Sequence, residues 1–266
     1  MNDLILHPEY EALNGEISKL KEEIVALRTR LDRANMVEAE VLKTEYNRRF
    51  GKLELELTRK YYQFRLLKRR VELMRSYLNR GEEPDMKVID TVIDTEAEEY
   101  NAILYKKAQE AERAATATFR EYTDEEAAHA KKLYQGLVRA LHPDLHPDAS
   151  PADIACLQQA VEAYASGDLA TLEAIAVVVE GGAKKEEHPS CIEALRKRCE
   201  QYRSTLKSLA TRLSELRDKF PFNQASLLSD PQKISERVKV LVEECQKLDN
   251  RIGVYENELQ QLNGTV

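Results

Sequence analysis

The chain has 266 residues, 33% of them charged and 6% aromatic, with no Trp and only seventeen Gly and Pro together. That balance suits long helices with coiled-coil character better than one thick globular interior. A net charge of −7 with acids and bases interleaved gives no electrostatic reason to expect nucleic acid or an anionic membrane. The N-terminal "MNDLILHPEY" lacks the basic start and long apolar run of a secretory signal, and the longest apolar run, "AIAVVV" (Ala174 to Val179), is too short for a membrane span. Cys156, Cys191, Cys199 and Cys245 form no Cys-x-x-Cys pair, so they are expected to be reduced thiols of a cytoplasmic protein.

The expected fold class is all-α. An N-terminal coiled-coil region is expected over 1–82. Leu13, Ile17, Leu20, Ile24, Leu27 and Leu31 alternate spacings of four and three, which is the seam of a coiled coil. A second seam follows at Tyr46, Phe50, Leu53, Leu57, Tyr61, Phe64, Leu67, Val71, Met74 and Leu78. The register slips between them at "RANMVEAE", which fits either one long helix with a stutter or a helical hairpin. The hairpin is preferred, although no Gly or Pro marks a bend. "NRGEEPD" ends the region, and a connecting helix is expected over 87–122.

"TDEE" at Thr123 to Glu126 has the side chains of a capping box and opens a helix that includes "KKLYQGLVRAL". Proline restricts the residue before it to extended geometry, so that helix must end at Leu141-His142. Two His-Pro-Asp triplets follow, and "SPADIACLQQAVEAY" starts the next helix with Ser150 as N-cap and Pro151 in its first position. "EGGAKKEEHPS" (Glu180 to Ser190) is the clearest linker.

The last segment, 188–264, carries two more seams. Ile192, Leu195, Cys199, Tyr202, Leu206, Leu209, Leu213 and Leu216 form one; Ile234, Val238, Leu241, Cys245, Leu248, Ile252, Tyr255, Leu259 and Leu262 form the other. Folded between Asn223 and Gln224, the seams match layer by layer, Leu195 on Ile252 and Leu209 on Val238. The expectation is therefore an antiparallel hairpin, with Cys199 and Cys245 as small core thiols.

Three readings compete for the triplets. His142, Asp144, His146 and Asp148 could ligate a metal, but Pro143 and Pro147 cannot both sit in a regular helix and no third histidine or cysteine lies nearby. No metal and no cofactor is therefore expected. A plain helix–loop–helix connector explains the prolines but not the paired histidines. The third reading rests on the flanks. "KKLYQGLVRALHPDLHPD" followed by "LQQAVEAY" resembles the second helix, loop and third helix of a J domain, as in the DnaJ co-chaperones. The likeness places Tyr134, Leu137, Leu157 and Tyr164 in the module core, and His142, Pro143 and Asp144 in the loop triplet. Pro147 and Asp148 fall on a trailing Pro-Asp, and His146 on a tolerant position. It covers about forty residues within an expected module at 123–180. The family's first helix is missing before Thr123, so Phe119, Tyr122 or the Leu169 to Val179 helix must supply that part of the core. Gln135 and Gly136 also stand where bases are frequent.

The resemblance implies docking on a DnaK-class heat-shock ATPase and stimulation of its ATP hydrolysis. Asp144 would pair with an arginine of the partner, Pro143 would stiffen the loop, and His142 would orient it or touch the partner. Lys131, Lys132 and Arg139 would steer the helix onto an acidic patch. The coiled-coil arms would hold a client or partner, with self-association through the seams as a further expectation. The alternative is a coiled-coil scaffold or assembly protein carrying a degenerate, non-stimulating module. No phosphate loop or nucleophile–base constellation is visible, so the chain is not expected to be an enzyme.

Overall fold

A computed structural model describes residues 8–117, 123–181 and 192–264. Every regular element among the described residues is helical, as the composition and the four seams require. The helices are α1 (Pro8–Arg33), α2 (Ala39–Asn79), α3 (Met86–Thr116), α4 (Asp124–Leu141), α5 (Pro151–Ser166), α6 (Leu169–Gly181), α7 (Ile192–Leu216), α8 (Ala225–Leu228) and α9 (Pro231–Asn263). Their ends follow the local chemistry. Thr123 and Ser150 each close a capping box, with Glu126 and Asp153 returning the bond. Asp85 and Asp230 cap α3 and α9 by accepting two backbone N–H groups each. Gly167 ends α5 in the left-handed region at φ 77°.

No hairpin forms at the register slip. Ala34–Glu38 is a π-helical turn, and Arg33 and Ala39 on either side keep right-handed helical dihedrals. A π turn accommodates an extra residue without breaking the helix, so the seam changes phase there while the chain stays helical.

The chain divides into two compact units, each built from two separated stretches rather than from the contiguous segments the sequence suggests. One unit holds Met1–Val41 and Phe119–Asn223; the other holds Leu42–Thr118 and Gln224–Val266. This division overturns the hairpin of α7 on α9. In the first unit Leu195, Cys199, Tyr202 and Leu209 of α7 are buried with Ile17, Leu20, Ile24 and Leu31 of α1. In the second, Leu241 joins Tyr46 and Phe50 of α2, while Leu248 and Ile252 join Phe64.

The physical reason lies beside the seams. With Ile17 and Cys199 at heptad position a, Glu9 and Glu16 are g residues and Arg196 and Arg203 are e residues. Glu9 pairs with Arg196 and Glu16 with Arg203, each pair 187 positions apart in sequence. A constant separation means that the two helices run in the same direction. In a parallel coiled coil a g residue reaches the e residue of the partner's next heptad, so the layers are Leu13 with Leu195, Ile17 with Cys199 and Leu20 with Tyr202. The same rule holds in the second unit. Glu54 and Arg75 are e residues of α2, Arg237 and Glu258 are g residues of α9, and Arg237–Glu54 and Arg75–Glu258 are both ion pairs. Tyr61, expected in the seam of α2, is 44% exposed. The heptad position falls on Lys60 instead, whose ammonium bonds the Asp249 carboxylate at 2.5 Å.

α3 returns antiparallel along α2 within the second unit. Its last turn meets Arg48, which donates to the carbonyls of Ala114 and Ala117, while Arg70 pairs with Asp90 near its start. Between them Gly51 lies so close that a Cβ there would stand 3.2 Å from the Ala111 Cβ. Tyr62 and Tyr100 stack at 4.1 Å, and Ile89 and Ile93 bury with Met74.

Candidate functional site

The triplets lie in the first unit, where α4, α5 and α6 form a compact module against α1. α4 is amphipathic: Ala130, Tyr134, Leu137, Val138 and Leu141 recur at three- and four-residue spacings and are all buried. They meet Leu157, Ala160 and Ala163 of α5 and Leu172, Ile175 and Ala176 of α6. Tyr134 is fully buried, and Tyr164, packed on the same core, stacks on it at 4.5 Å with rings 6° from parallel. The four residues expected in the module core thus come together. The missing core is met by α6, one of the three sources expected, and by α1, which was not expected. Phe119, Tyr122, Cys191 and the linker after its first two residues lie outside the described residues.

α1 serves two partners. Its a and d residues face α7, while a second stripe at Val25, Thr29 and Asp32 lies against the module. Val25 and Thr29 are each 2% exposed. Asp32 accepts the Tyr134 hydroxyl at 2.7 Å and the Arg28 guanidinium at 3.2 Å. Glu22, on the same stripe, pairs with Arg139 of α4 at 2.6 Å. Burial and the Asp32 carboxylate both drive the Tyr134 phenol far above its usual range, so it remains a hydrogen-bond donor at any ordinary pH.

The turn between α4 and α5 begins where Pro143 forces it. His142 is the C-cap, its N–H bonded to the Val138 carbonyl. Its carbonyl accepts the N–H groups of Leu145 and His146, both at 2.9 Å. Its ring, 7% exposed, accepts the Asp144 N–H at Nδ1 over 3.0 Å. Burial lowers the His142 pKa from its ordinary 6.5, and the Arg28 guanidinium adds to this against Asp144 and Asp32. Of the two roles expected for His142, orienting the loop or touching the partner, the buried ring fits the first: it is a neutral internal brace. Pro143 is exposed and the Asp144 side chain is 35% exposed, so these two form the tip. Lys131 and Lys132 are exposed on α4, whereas Arg139 is held by Glu22.

His146 has a task that family tolerance did not suggest. Its Nε2 donates to the Arg139 carbonyl at 2.7 Å, satisfying an orphan acceptor in the last turn of α4. The two histidines therefore do different work: one accepts a backbone N–H, the other donates to a backbone C=O. The His142 Nδ1 lone pair is already taken by the Asp144 N–H, and the His146 Nε2 is held by the Arg139 carbonyl, so the pair does not present two vacant nitrogens to a shared ion. Among the described residues no group of three potential metal ligands converges anywhere. Leu145, between the triplets, is 3% exposed, and its carbonyl accepts the Tyr202 hydroxyl of α7 at 3.1 Å. Tyr202 was legible as a seam residue; its bond to the turn was not.

In the second unit a groove of about 340 Å³ between α2 and α3 is lined by Tyr62, Leu66, Leu67, Ile93 and Leu104, with Arg59 and Arg70 among its polar residues. It brings together no acid–base pair or nucleophile. Among the described residues no helix is long and apolar enough to cross a membrane.

Fold and site together define an all-helical protein in which a helical module carrying a His-Pro-Asp turn is packed on a parallel coiled coil. Comparison with protein-family models, with curated proteins and with solved structures finds no match.

Proposed function

We propose that the chain is a J-domain-like co-chaperone that docks on a DnaK-class heat-shock ATPase and stimulates its ATP hydrolysis. The supporting observation is the α4–α5 hairpin. It buries the Tyr134–Tyr164 stack and projects Pro143 and Asp144 at its tip, on the helix that exposes Lys131 and Lys132. Asp144 is the group to accept an arginine of the ATPase, because a carboxylate can take a bidentate guanidinium pair. The two lysines add on-rate by steering. His142 acts from inside by fixing the turn, and Arg139 contributes to the surface only as half of an ion pair. In this reading the chain performs no bond chemistry and needs no metal or cofactor. The coiled-coil arms hold a client or partner. Their seams are buried within the chain, so self-association would use another surface.

Single-turnover ATP hydrolysis by a DnaK-class ATPase, with and without this protein, tests the proposal. The expected result is faster hydrolysis that Asp144→Asn abolishes while thermal stability stays unchanged. The Arg139–Glu22 pair favours a second reading, a coiled-coil assembly protein with a non-stimulating module, because it removes one base from the docking face. No stimulation by the unmutated chain would decide for it.

A further inference from the structure

Both helices of the first coiled coil reach the triplet turn, from different directions and through different atoms. From α7, the Tyr202 hydroxyl donates to the Leu145 carbonyl in a fully buried hydrogen bond. From α1, Asp32 takes the hydroxyl of Tyr134, one of the core residues under the turn, and is itself held by the Arg28 guanidinium, whose charge also acts on His142. Tyr202 is a d residue of the α1–α7 seam, and Cys199 one turn before it packs on the Leu13 carbonyl of α1. The seam and the turn therefore share one side chain.

We propose that the α1–α7 coiled coil is the clamp that holds the His142–His146 turn in shape, with Tyr202, Asp32 and Arg28 as positioning residues, so that separating the two helices loosens the turn. A ring held by a seam on one side cannot keep its hydroxyl on Leu145 if the seam opens. The buried carbonyl would then lose its partner, which a folded chain tolerates only by moving the turn into water. The consequence for docking rests on the function proposed above: whatever binds the arms and spreads α1 from α7 would switch off the tip at Pro143 and Asp144.

Two variants of the full chain separate seam from turn. Tyr202→Phe keeps the seam ring and deletes the hydroxyl. Leu209→Ala loosens the seam one heptad beyond Tyr202 and leaves the Tyr202 hydroxyl in place. Hydrogen exchange at the Leu145 and His146 amides, read by NMR, is expected to run about tenfold faster in both, roughly what losing one buried hydrogen bond supplies. The His142 ring should titrate closer to its ordinary range as it leaves its enclosure, with Arg28, Asp32, Asp144 and His146 still around it. Tyr255→Phe, a hydroxyl deletion in the second unit, should change neither. Unchanged turn amides in Tyr202→Phe, or faster exchange along α7 alone in Leu209→Ala, would overturn the clamp. ATPase stimulation is measured in parallel. If the unmutated chain fails to stimulate, the docking function falls, while the exchange data still decide the clamp.

Discussion

Burial holds His142 neutral, so its contribution to stability has a pH dependence of definite sign. Its folded pKa lies below the ordinary 6.5, hence the unfolded chain takes up the proton first as pH falls. The contribution is complete above about pH 6.5 and drains away below it, with a slope of at most about 1.4 kcal/mol per pH unit for one proton. Denaturant midpoints between pH 7.5 and 5 should therefore fall, and His142→Gln should flatten that part of the profile. The same change should cost about 1–3 kcal/mol at pH 7.5, because the Asp144 N–H loses a buried acceptor. Asp144→Asn should cost under about 0.5 kcal/mol, as expected for a group a third exposed. Thr29 should respond in the opposite sense. Its hydroxyl is buried with no hydrogen-bond partner among the described residues, so Thr29→Val should stabilise the chain by about 1 kcal/mol. A lower melting temperature for that variant would mean that the hydroxyl has found a partner.

Elements show where the sequence could be read and where it could not. The helix limits at Thr123, Leu141, Ser150 and Asp230 were legible because capping and proline chemistry act within four residues. The seams were legible for the same reason: heptads are local. Their partners were not, because Leu and Ile at a and d fit a parallel or an antiparallel mate equally well. The deciding information sat at Glu9, Glu16, Arg196 and Arg203, residues that look like ordinary solvated charge until the right helix is placed beside them. The docking stripe on α1 was hidden for another reason, since Glu22, Thr29 and Asp32 are polar and show no hydrophobic period. In the triplets the reading found the turn but left His142 between orienting the loop and touching the partner, because a tripeptide does not say what packs around it; the buried ring takes the inward role. Cross-linking tests the element-level assignment. In a background with the native cysteines replaced, Leu13→Cys with Leu195→Cys should close a disulfide within one chain on oxidation, as facing d residues of a parallel pair. Leu195→Cys with Ile252→Cys, the antiparallel alternative, should not. At the α2–α3 crossing, Gly51→Val should destabilise by about 1–3 kcal/mol, since even a single Cβ there presses on Ala111.

On the scale of the whole molecule, the chain folds by pairing segments that lie about 187 residues apart, and neither unit is continuous in sequence. An N-terminal stretch of one unit waits for its C-terminal mate until nearly the whole chain exists, and such non-local pairing carries a loop-closure cost that local helices do not. This organisation makes a sharp statement about fragments. Residues 188–266 contain α7, α8 and α9 but none of α1 or α2, so both of their seams lose the mates that bury Leu195, Tyr202, Leu241 and Leu248. A hairpin closed on itself would melt cooperatively at any concentration. The structure instead requires weak helicity or concentration-dependent self-association from this fragment, because heptad seams without a partner are only marginally stable as single helices in water. Mixing it with residues 1–180 should restore helical circular dichroism beyond the sum of the two spectra and produce a one-to-one complex by sedimentation. A fragment 188–266 that is monomeric, fully helical and indifferent to residues 1–180 would return the two C-terminal seams to each other.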